Sequence, residues 1–552
     1  MLMDYKLRIT YEQDDNILIT SKSNDDLDIQ VVDEQDKLKM VLTAHKELSL
    51  IECAISFDYT FEPSDKIFCN GYQSWTTSKE YGVNDKEKGL LGFGKHFPIS
   101  EFTSLFGDYS FYKYTNISGK FHGYTYGYNR RGESVYLVGS LSEKPGFTII
   151  SFEPYRNRIK LARDVEGRSL TAGETFVGID AVLCEGGYDE VFDKYFDMMN
   201  IPKPKLDRLC GYTSWYNYFG KINNEILERD LESLSTYGDQ VNIFQIDDGY
   251  QSKVGDWKSI KQDKFPHGMR YLVDKIHSKG YLAGLWLAPT LASRDSELVH
   301  NHPDWLIKKP NGKPMIGNVG WGGAYILDIE LPQVREYLKD VFDNVVNEWG
   351  FDMVKLDFLY SSCLVPRNNK TRGQLMCETM EFLRECVGDK LILGCGVPLG
   401  ASFGLVDMCR TGCDVDLSYR PKFYNKHTNQ EIVCTQNSIF NTLFRRHLNG
   451  RAFVNDPDVF FARTHNLKFN VEQKKILAKV NSLCGGVLFV SDDVAEYDKT
   501  HQQIFTDAIK DNHTKINNVD KNMDNILVKY TQDGIPHVFE FNIKKGKILQ
   551  DN

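Results

Sequence analysis

Short runs of alternating apolar and polar residues dominate the first 187 residues of the chain, and Asn, Asp, Gly and Pro separate them. No convincing helical repeat of apolar positions occurs before about residue 188. Several short strands with regular turn signals are typical of a β-sandwich. The pattern therefore predicts an N-terminal β-sandwich over residues 1–187, built from runs such as YKLRITYE, LKMVLTAH, VYLVGSLS and GFTIISFEP.

The pattern changes after this domain. Residues 188–208 are predicted to form a helix and a linker, because helical spacing is followed by two prolines that disfavour helix. Strand-like runs then alternate with amphipathic helical segments, and eight such repeats predict a (β/α)8 TIM barrel over residues 209–511. Residues 512–552 return to strands and predict a small C-terminal antiparallel β domain. The eight runs are LCGYTSW (209–215), VNIFQID (241–247), LAGLWLA (282–288), MVKLDFL (353–359), LILGCG (391–396), DMCRTG (407–412), AFVND (452–456) and GVLFVSD (486–492).

Composition argues against a nucleic-acid-binding, a membrane-spanning or a disulfide-rich protein. The chain has 552 residues and a formal net charge of −10, which opposes non-specific binding to nucleic acid or to anionic membranes. Its longest apolar runs are too short to span a bilayer, and its first residues have no apolar core of a signal peptide. The 12 cysteines form no C-x-x-C pair, so we expect free thiols in a reducing cytoplasm rather than disulfides or a structural zinc site.

The fourth predicted strand carries charge at its end. Lys355 and Asp357 are two positions apart and therefore share one face of the strand. One interpretation is a structural ion pair at a strand edge. The other is a sugar-binding lysine beside a carboxylate nucleophile, in which the lysine favours the ionised aspartate.

The other strand ends favour the second interpretation. In a TIM barrel the active site lies at the C-terminal ends of the strands. Carboxylates that accept bonds from hydroxyls, and tryptophans that stack on sugar rings, suit a polyhydroxylated, uncharged ligand. Most of these ends carry acidic or aromatic side chains, namely Trp215, Tyr216, Asp247, Asp248, Trp286, Lys355, Asp357, Cys395, Arg410, Asp414, Asp456, Asp458, Asp492 and Asp493.

Two of these acids are placed to cleave a glycosidic bond. Such cleavage needs two carboxylates that flank the bond. We expect the fourth and sixth strands to lie nearly across the pocket, so Asp357 and Asp414 form the candidate pair. Asp416 competes with Asp414 from two positions further on. The adjacent Asp247 and Asp248 are interpreted as hydroxyl ligands rather than metal ligands, because no D-x-D-x-D-G loop is present.

The motifs that carry these residues resemble those of the α-galactosidases of glycoside hydrolase family 36. The resemblance covers about residues 65–495. It rests on GYTSWYNYF at 211–219, FQIDDGYQSKVGDW at 244–257, VKLDFLY, LGCGVPLG, RTGCD, NDPD and the late SDD, which follow the family's order, and on NGYQSWT in the predicted sandwich.

The resemblance implies a role for each matching residue. Asp357 matches the family's nucleophile and Asp414 its acid/base, which favours Asp414 over Asp416. Asp247 and Asp248 match the pair that holds the galactose 4- and 6-hydroxyls. The other implied substrate-binding residues are Lys355 and Arg410 as cations near hydroxyls, Trp286 as a pocket wall, Cys395 near the 2-hydroxyl, Trp215 and Tyr216 as a platform on the aglycone side, and Trp75 as a sandwich residue that enters the active site.

The sequence also departs from the family. Tyr419 stands where several members have Trp, and Tyr72 follows Gly71 where many have Trp. The Gly-rich segment 317–325 cannot be aligned. These differences bear on the preference for the aglycone rather than on the reaction.

The resemblance implies a retaining exo-α-galactosidase that acts on melibiose or raffinose and uses no metal or organic cofactor. It also implies an oligomer, because members of the family are often dimers or tetramers, while the scattered cysteines and the lack of a signal peptide predict a cytoplasmic location. Alternatives are an α-N-acetylgalactosaminidase with the same two aspartates, a transglycosylase of the raffinose-synthase type, a non-catalytic sugar-binding protein, and a metal-dependent barrel enzyme.

Overall fold

The computed structural model describes residues 4–90, 104–422, 425, 430–510 and 513–552. Its N-terminal part contains two seven-stranded antiparallel sheets, which confirms the predicted sandwich. One sheet has the order β2-β1-β5-β12-β11-β8 with β13 beside β5, and the other has the order β3-β4-β14-β10-β9-β6-β7. The strands are β1 (Tyr5–Gln13), β2 (Asn16–Thr20), β3 (Leu27–Glu34), β4 (Lys37–Ala44), β5 (Leu48–Asp58), β6 (Lys66–Cys69), β7 (Glu80–Gly82), β8 (Phe121–Tyr124), β9 (Tyr126–Arg131), β10 (Ser134–Ser140), β11 (Thr148–Glu153), β12 (Arg158–Arg163), β13 (Ser169–Leu170) and β14 (Thr175–Gly187).

Alternation along these strands explains the sandwich. In β4, for example, each second side chain is fully buried, as the sequence pattern requires for a sheet with one face in the core. Helix α1 (Tyr188–Met199) follows β14 directly, and Tyr195 donates its hydroxyl to the carbonyl of Ser140 on β10 at 2.8 Å. The helix therefore packs on the sandwich. The predicted domain limits stay predictions, and the limit at residues 511 and 512 lies outside the described residues.

The central part is an eight-stranded parallel sheet, and all eight predicted strands are confirmed. Each strand is almost entirely buried, as expected of a sheet covered on both faces. The order is β24-β23-β22-β21-β17-β16-β15-β25, and the amide of Gly486 donates to the carbonyl of Asn455 at 3.0 Å where the two ends of the sheet meet. The strands are β15 (Leu209–Thr213), β16 (Ile243–Ile246), β17 (Leu282–Leu287), β21 (Met353–Leu356), β22 (Leu391–Gly394), β23 (Met408–Arg410), β24 (Val454–Asp456) and β25 (Val487–Val490).

Helices surround the barrel, and most follow the predicted segments. One predicted helix over 430–450 is shorter in the structure, and the segment 333–350 ends in a π-turn at Asn344–Glu348. The helices are α2 (Trp215–Tyr218), α3 (Asn224–Leu234), α4 (Gly268–Ser278), α5 (Glu297–Asn301), α6 (Pro332–Asp343), α7 (Arg372–Val387), α8 (Thr435–Phe444), α9 (Val471–Cys484) and α10 (Lys499–Ile509).

Two further sheets complete the described chain. A three-stranded antiparallel sheet, absent from the sequence prediction, lies between the third and fourth barrel strands and consists of β18 (Leu291–Ser293), β19 (Ile316–Asn318) and β20 (Ala324–Ile326). The predicted C-terminal β domain is confirmed as a four-stranded antiparallel sheet of β26 (Thr514–Asn522), β27 (Asn525–Gln532), β28 (Ile535–Asn542) and β29 (Lys547–Asp551).

All twelve cysteines are free thiols, as the sequence predicts. Among the described residues, every helix is too short or too polar to cross a bilayer.

Candidate active site

The candidate site lies at the C-terminal ends of the barrel strands and is centred on Asp357, which immediately follows β21. Only 8% of this residue is exposed. Its Oδ2 accepts a hydrogen bond from Trp286 Nε1 at 3.0 Å, and its Oδ1 accepts one from the amide of Phe358 at 2.9 Å. These two donors fix the carboxylate in orientation.

Burial raises the pKa of Asp357 above its ordinary value, while the charge of Lys355 and the bond from Trp286 act in the opposite direction. The sequence prediction that Lys355 favours the ionised aspartate therefore has the right sign. Burial nevertheless outweighs it, and the charge of Asp414 adds to the increase. A carboxylate that is poorly solvated but held by two donors is suited to nucleophilic attack.

Lys355 forms its ion pair with a different aspartate. Its Nζ lies 2.9 Å from Asp247 Oδ2, and both side chains are buried. Burial opposes the charged ammonium, but Asp247 raises the pKa of Lys355 above its ordinary value. Lys355 thus forms an ion pair, but with Asp247 at the end of β16 and not with Asp357 on its own strand, as the first interpretation assumed.

Asp248, the second acid at the end of β16, has a partner that the sequence did not predict. Its Oδ2 accepts a hydrogen bond from Trp321 Nε1 at 2.8 Å, and its Oδ1 accepts one from Gln251 at 2.6 Å. Burial raises the pKa of Asp248. Trp321 lies in the Gly-rich turn between β19 and β20, and its ring centroid is 5.3 Å from that of Phe358, so it forms part of the wall beside Asp357.

The surroundings of the Asp247–Asp248 pair suit hydroxyls better than a metal ion. Asp247 Oδ2 accepts from the ammonium of Lys355 and from Gln245 Nε2 at 2.9 Å, and Trp321 donates to Asp248. Neighbouring N–H donors and a cation repel a metal ion. Among the described residues, no group of three or more His, Cys, Asp and Glu is arranged to hold one.

Asp414 is held by Arg410, the last residue of β23. Arg410 Nη1 lies 2.8 Å from Asp414 Oδ1, and the same guanidinium contacts Asp456 at 3.2 Å and Asp458 at 3.0 Å. The Asp414 side chain is 37% exposed, whereas those of its two neighbours are buried. Asp414 is therefore the carboxylate of this group that faces open space.

The competitor Asp416 lies elsewhere. It is buried, its Oδ2 is 2.9 Å from Lys422 Nζ, and its amide donates to Thr435 Oγ1 at 3.1 Å. A buried aspartate engaged in this way has a structural role. The geometry agrees with the choice of Asp414 as the candidate acid/base.

The expected arrangement of the two strands was wrong in one respect. The fourth and sixth strands are not across the barrel from each other, because β22 alone separates β21 from β23. Asp414 lies close enough to Asp357 for its charge to raise the pKa of Asp357. The two carboxylates therefore converge from neighbouring parts of the rim.

The sandwich supplies one wall of the site. Trp75 Nε1 lies 3.3 Å from Cys395 Sγ, which follows β22, and the indole ring meets Phe358 edge-on at 5.2 Å. Burial and the nearby Asp357 raise the pKa of Cys395, so its thiol stays neutral. Gly396 has a φ of +59°, and an added Cβ would lie 2.8 Å from the Trp75 ring. Trp75 thus fills the space next to the cysteine.

A buried arginine fixes the loop that carries Trp75. Arg445 is fully buried and donates to the carbonyl of Ser74 at 2.6 Å, to the carbonyl of Thr411 at 2.8 Å and to Asn70 Oδ1 at 2.9 Å. Burial lowers its pKa to about 10. The sequence did not single out this residue, because a single arginine within a predicted helix carries no local signal.

The two predicted platform residues have different surroundings. Trp215 is partly exposed and packs edge-on against Phe219 at 5.1 Å. Tyr216 is buried, and its hydroxyl donates to Asp458. Trp215 is thus available to a ligand, whereas the Tyr216 hydroxyl is engaged in the carboxylate cluster. The remaining rim residue Trp286 is buried and contacts Asp357 directly.

Comparison with known proteins finds relatives among the α-galactosidases. A Melibiase family model matches residues 214–373. The chain is similar to alpha-galactosidase 1 of Pediococcus pentosaceus, with 30% identity over 173 residues that cover 29% of this chain and 23% of that protein. It is also 31% identical over 224 residues to an A type blood alpha-D-galactosamine galactosaminidase of Flavonifractor plautii, a match that covers 37% of this chain and 20% of that protein. The matched parts thus span less than half the length of these curated relatives.

Solved structures match over almost the whole chain. The α-galactosidase of Thermus thermophilus in complex with stachyose superposes with a TM-score of 0.69 and 25% identity, and the match covers 91% of this chain and 99% of that one. The same protein in complex with p-nitrophenyl α-D-galactopyranoside gives a TM-score of 0.72, 23% identity and coverage of 96% and 98%.

Proposed function

We propose that this chain, which belongs with the family 36 α-galactosidases in its motifs and fold, is a retaining exo-α-galactosidase that removes terminal α-galactose from oligosaccharides such as melibiose or raffinose. One observation carries the proposal. A buried, doubly hydrogen-bonded carboxylate, Asp357, lies within electrostatic reach of a second carboxylate, Asp414, that is 37% exposed. Two carboxylates with different environments are what a nucleophile and an acid/base require.

In the first half-reaction, Asp357 attacks the anomeric carbon while Asp414 gives its proton to the leaving glycosidic oxygen. A C–O bond to Asp357 forms and the glycosidic bond breaks. The N–H donors of Trp286 and Phe358 hold the attacking carboxylate in place. In the second half-reaction, Asp414 takes a proton from water, and the oxygen of that water displaces Asp357 with overall retention.

The remaining rim residues bind the sugar. The Asp247 and Asp248 carboxylates and the Lys355 ammonium form a hydrogen-bonded group beside Asp357, with donors and acceptors fixed by Trp321, Gln245 and Gln251. Such a fixed group suits the hydroxyls of galactose. The Thermus relative crystallised with stachyose and with an aryl α-galactoside supports this choice of substrate.

The proposal is tested by replacing Asp357 with Gly and assaying p-nitrophenyl α-galactoside. Removing the nucleophile should lower kcat by about 10³-fold or more, and added azide should restore turnover by filling its place. Asp416→Asn is the matched control, because that aspartate is buried nearby but is engaged by Lys422. Substantial azide-independent turnover in Asp357→Gly would show that the nucleophile is misassigned.

The α-N-acetylgalactosaminidase alternative is less supported. The Flavonifractor relative favours it. Against it, Trp75 packs on Cys395 and Gly396, which the family resemblance puts near the 2-position, so an N-acetyl group there would compete with the indole for space. Parallel assays on the p-nitrophenyl glycosides of galactose and N-acetylgalactosamine separate the two. Equal or faster turnover of the N-acetylated substrate would favour the alternative.

Location and assembly are part of the proposal. We propose a cytoplasmic location, supported by twelve free cysteines, and a homo-oligomer, supported by the family resemblance. Cell fractionation tests the location. Size-exclusion chromatography with light scattering tests the assembly, and a monomer at micromolar concentration would contradict it.

A further inference from the structure

Asp458, two residues beyond β24, joins three segments of the barrel rim. It is 1% exposed and has a left-handed φ of +75°. Its Oδ1 accepts from the amide of Val459 at 2.7 Å and lies 3.0 Å from Arg410 Nη2. Its Oδ2 accepts from the amide of Val415 at 2.8 Å and from the hydroxyl of Tyr216. One buried carboxylate therefore ties together the ends of β15, β23 and β24.

Two of these contacts, those with Val415 and Arg410, connect Asp458 to Asp414. Val415 is the next residue in the chain, so the bond from its amide to Asp458 fixes the peptide that carries Asp414. Arg410 contacts Asp414 with Nη1 and Asp458 with Nη2, so one planar guanidinium bridges the two carboxylates. The orientation of Asp414 is thus set twice through Asp458.

The charges of the cluster also couple Asp458 to Asp414. Arg410 faces three carboxylates, those of Asp414, Asp456 and Asp458, of which the last two are buried. One cation cannot compensate three buried or half-buried anions, so the cluster favours binding of a proton. Burial raises the pKa of Asp458 to about 7, and the charges of Asp414 and Asp456 contribute to the increase. A change of charge on Asp414 is therefore felt by Asp458.

We propose that Asp458 is a positioning residue for the acid/base, which orients Asp414 through Val415 and Arg410. The inference rests on the proposed α-galactosidase function. Asp458 has no role in the attack by Asp357. Its loss should therefore affect the protonation of the leaving group and leave nucleophilic attack largely intact.

The test compares two substrates in Asp458→Asn. Melibiose has a sugar leaving group that must be protonated, whereas p-nitrophenolate leaves with little help from an acid. Since kcat/KM reports the first half-reaction, we expect kcat/KM for melibiose to fall at least about tenfold more than that for p-nitrophenyl α-galactoside.

A buried aspartate from the next strand end is the matched control. Asp492 is buried and pairs with Arg463 at 2.6 Å, and no such bridge connects it to Asp414 among the described contacts. Asp492→Asn should change kcat/KM for both substrates by the same factor. If Asp458→Asn also lowers kcat/KM for both substrates by the same factor, Asp458 is merely structural and the inference is wrong.

A milder variant keeps the test valid if Asp458→Asn does not fold. Tyr216→Phe removes one donor to Asp458 and keeps the ring. It should shift the ratio of the two kcat/KM values in the same direction by about threefold, and an unchanged ratio would overturn the inference. Wild-type protein that hydrolyses neither substrate would instead refute the proposed function, so the two failures are distinguishable.

Discussion

Replacement of Trp286 with Phe isolates a single hydrogen bond to the proposed nucleophile. The change removes the Nε1–H that lies 3.0 Å from Asp357 Oδ2 and keeps an aromatic ring in the wall. A hydrogen bond to a charged group contributes about 1.5–3 kcal/mol. At about 1.4 kcal/mol per pH unit, its loss should raise the pKa of Asp357 by about one to two pH units.

The direction in which the pH profile should shift follows from the role of Asp357 as the proposed nucleophile. Burial already raises the pKa of Asp357, and the bond from Trp286 opposes that effect by stabilising the ionised form. Attack requires the ionised carboxylate, so activity is lost as pH falls through this pKa. The acidic limb of kcat/KM for p-nitrophenyl α-galactoside should therefore move to higher pH in Trp286→Phe, and a profile from about pH 3.5 to 8 measures it.

The chain offers a matched control for this experiment. Trp257 is fully buried and packs edge-on against Trp286 at 5.7 Å, and its Nε1 has no hydrogen-bond partner within the described residues. Trp257→Phe should leave the acidic limb in place. The reasoning is refuted if Trp286→Phe does not move the limb, or if Trp257→Phe moves it equally.

Three further predictions concern the support of the site. Gly396→Ala should displace Trp75, destabilise the fold by about 1–3 kcal/mol and raise KM. Gly450→Ala is the control for the backbone cost alone, because Gly450 has a φ of +75° and nothing lies within 4 Å of the new Cβ. Thermal unfolding and KM measurements compare the two variants, and equal effects would contradict the clash with Trp75. Glu431 accepts a hydrogen bond from Thr76, the residue after Trp75, at 2.8 Å. Burial raises the pKa of Glu431 from 4.5 to about 7, so the free energy of unfolding should fall by up to about 3 kcal/mol between pH 4.5 and 7, and urea titrations should show no such contribution in Glu431→Gln. Arg445→Met should leave buried oxygens without donors and cost about 2–4 kcal/mol in urea unfolding; a loss below 1 kcal/mol would show that the loop is held by other contacts.

The barrel strands could be predicted because each is a short, almost wholly buried run whose apolar residues stand between turns and helices. The partner of Lys355 could not be predicted from its strand. Its ammonium reaches Asp247 at the end of β16, although β17 lies between β16 and β21. That contact depends on the order and register of the sheet, which local spacing does not contain.

Trp321 was missed for a different reason. The strands β19 and β20 that present it have three residues each, which is too short for a period of two to be visible. Trp321 itself has a φ of +55°, and Gly322 and Gly323 follow it with positive φ. The Gly-rich segment could not be aligned with the family, and only the folded sheet brings the indole to Asp248.

The contact between Trp75 and Cys395 has a consequence for biosynthesis. The two residues are 320 positions apart, and the N-terminal domain of a growing chain generally folds first. The sandwich therefore leaves the ribosome with an aromatic loop whose covering surface has not yet been translated. The proposed activity therefore requires both a complete barrel and its docking onto that loop.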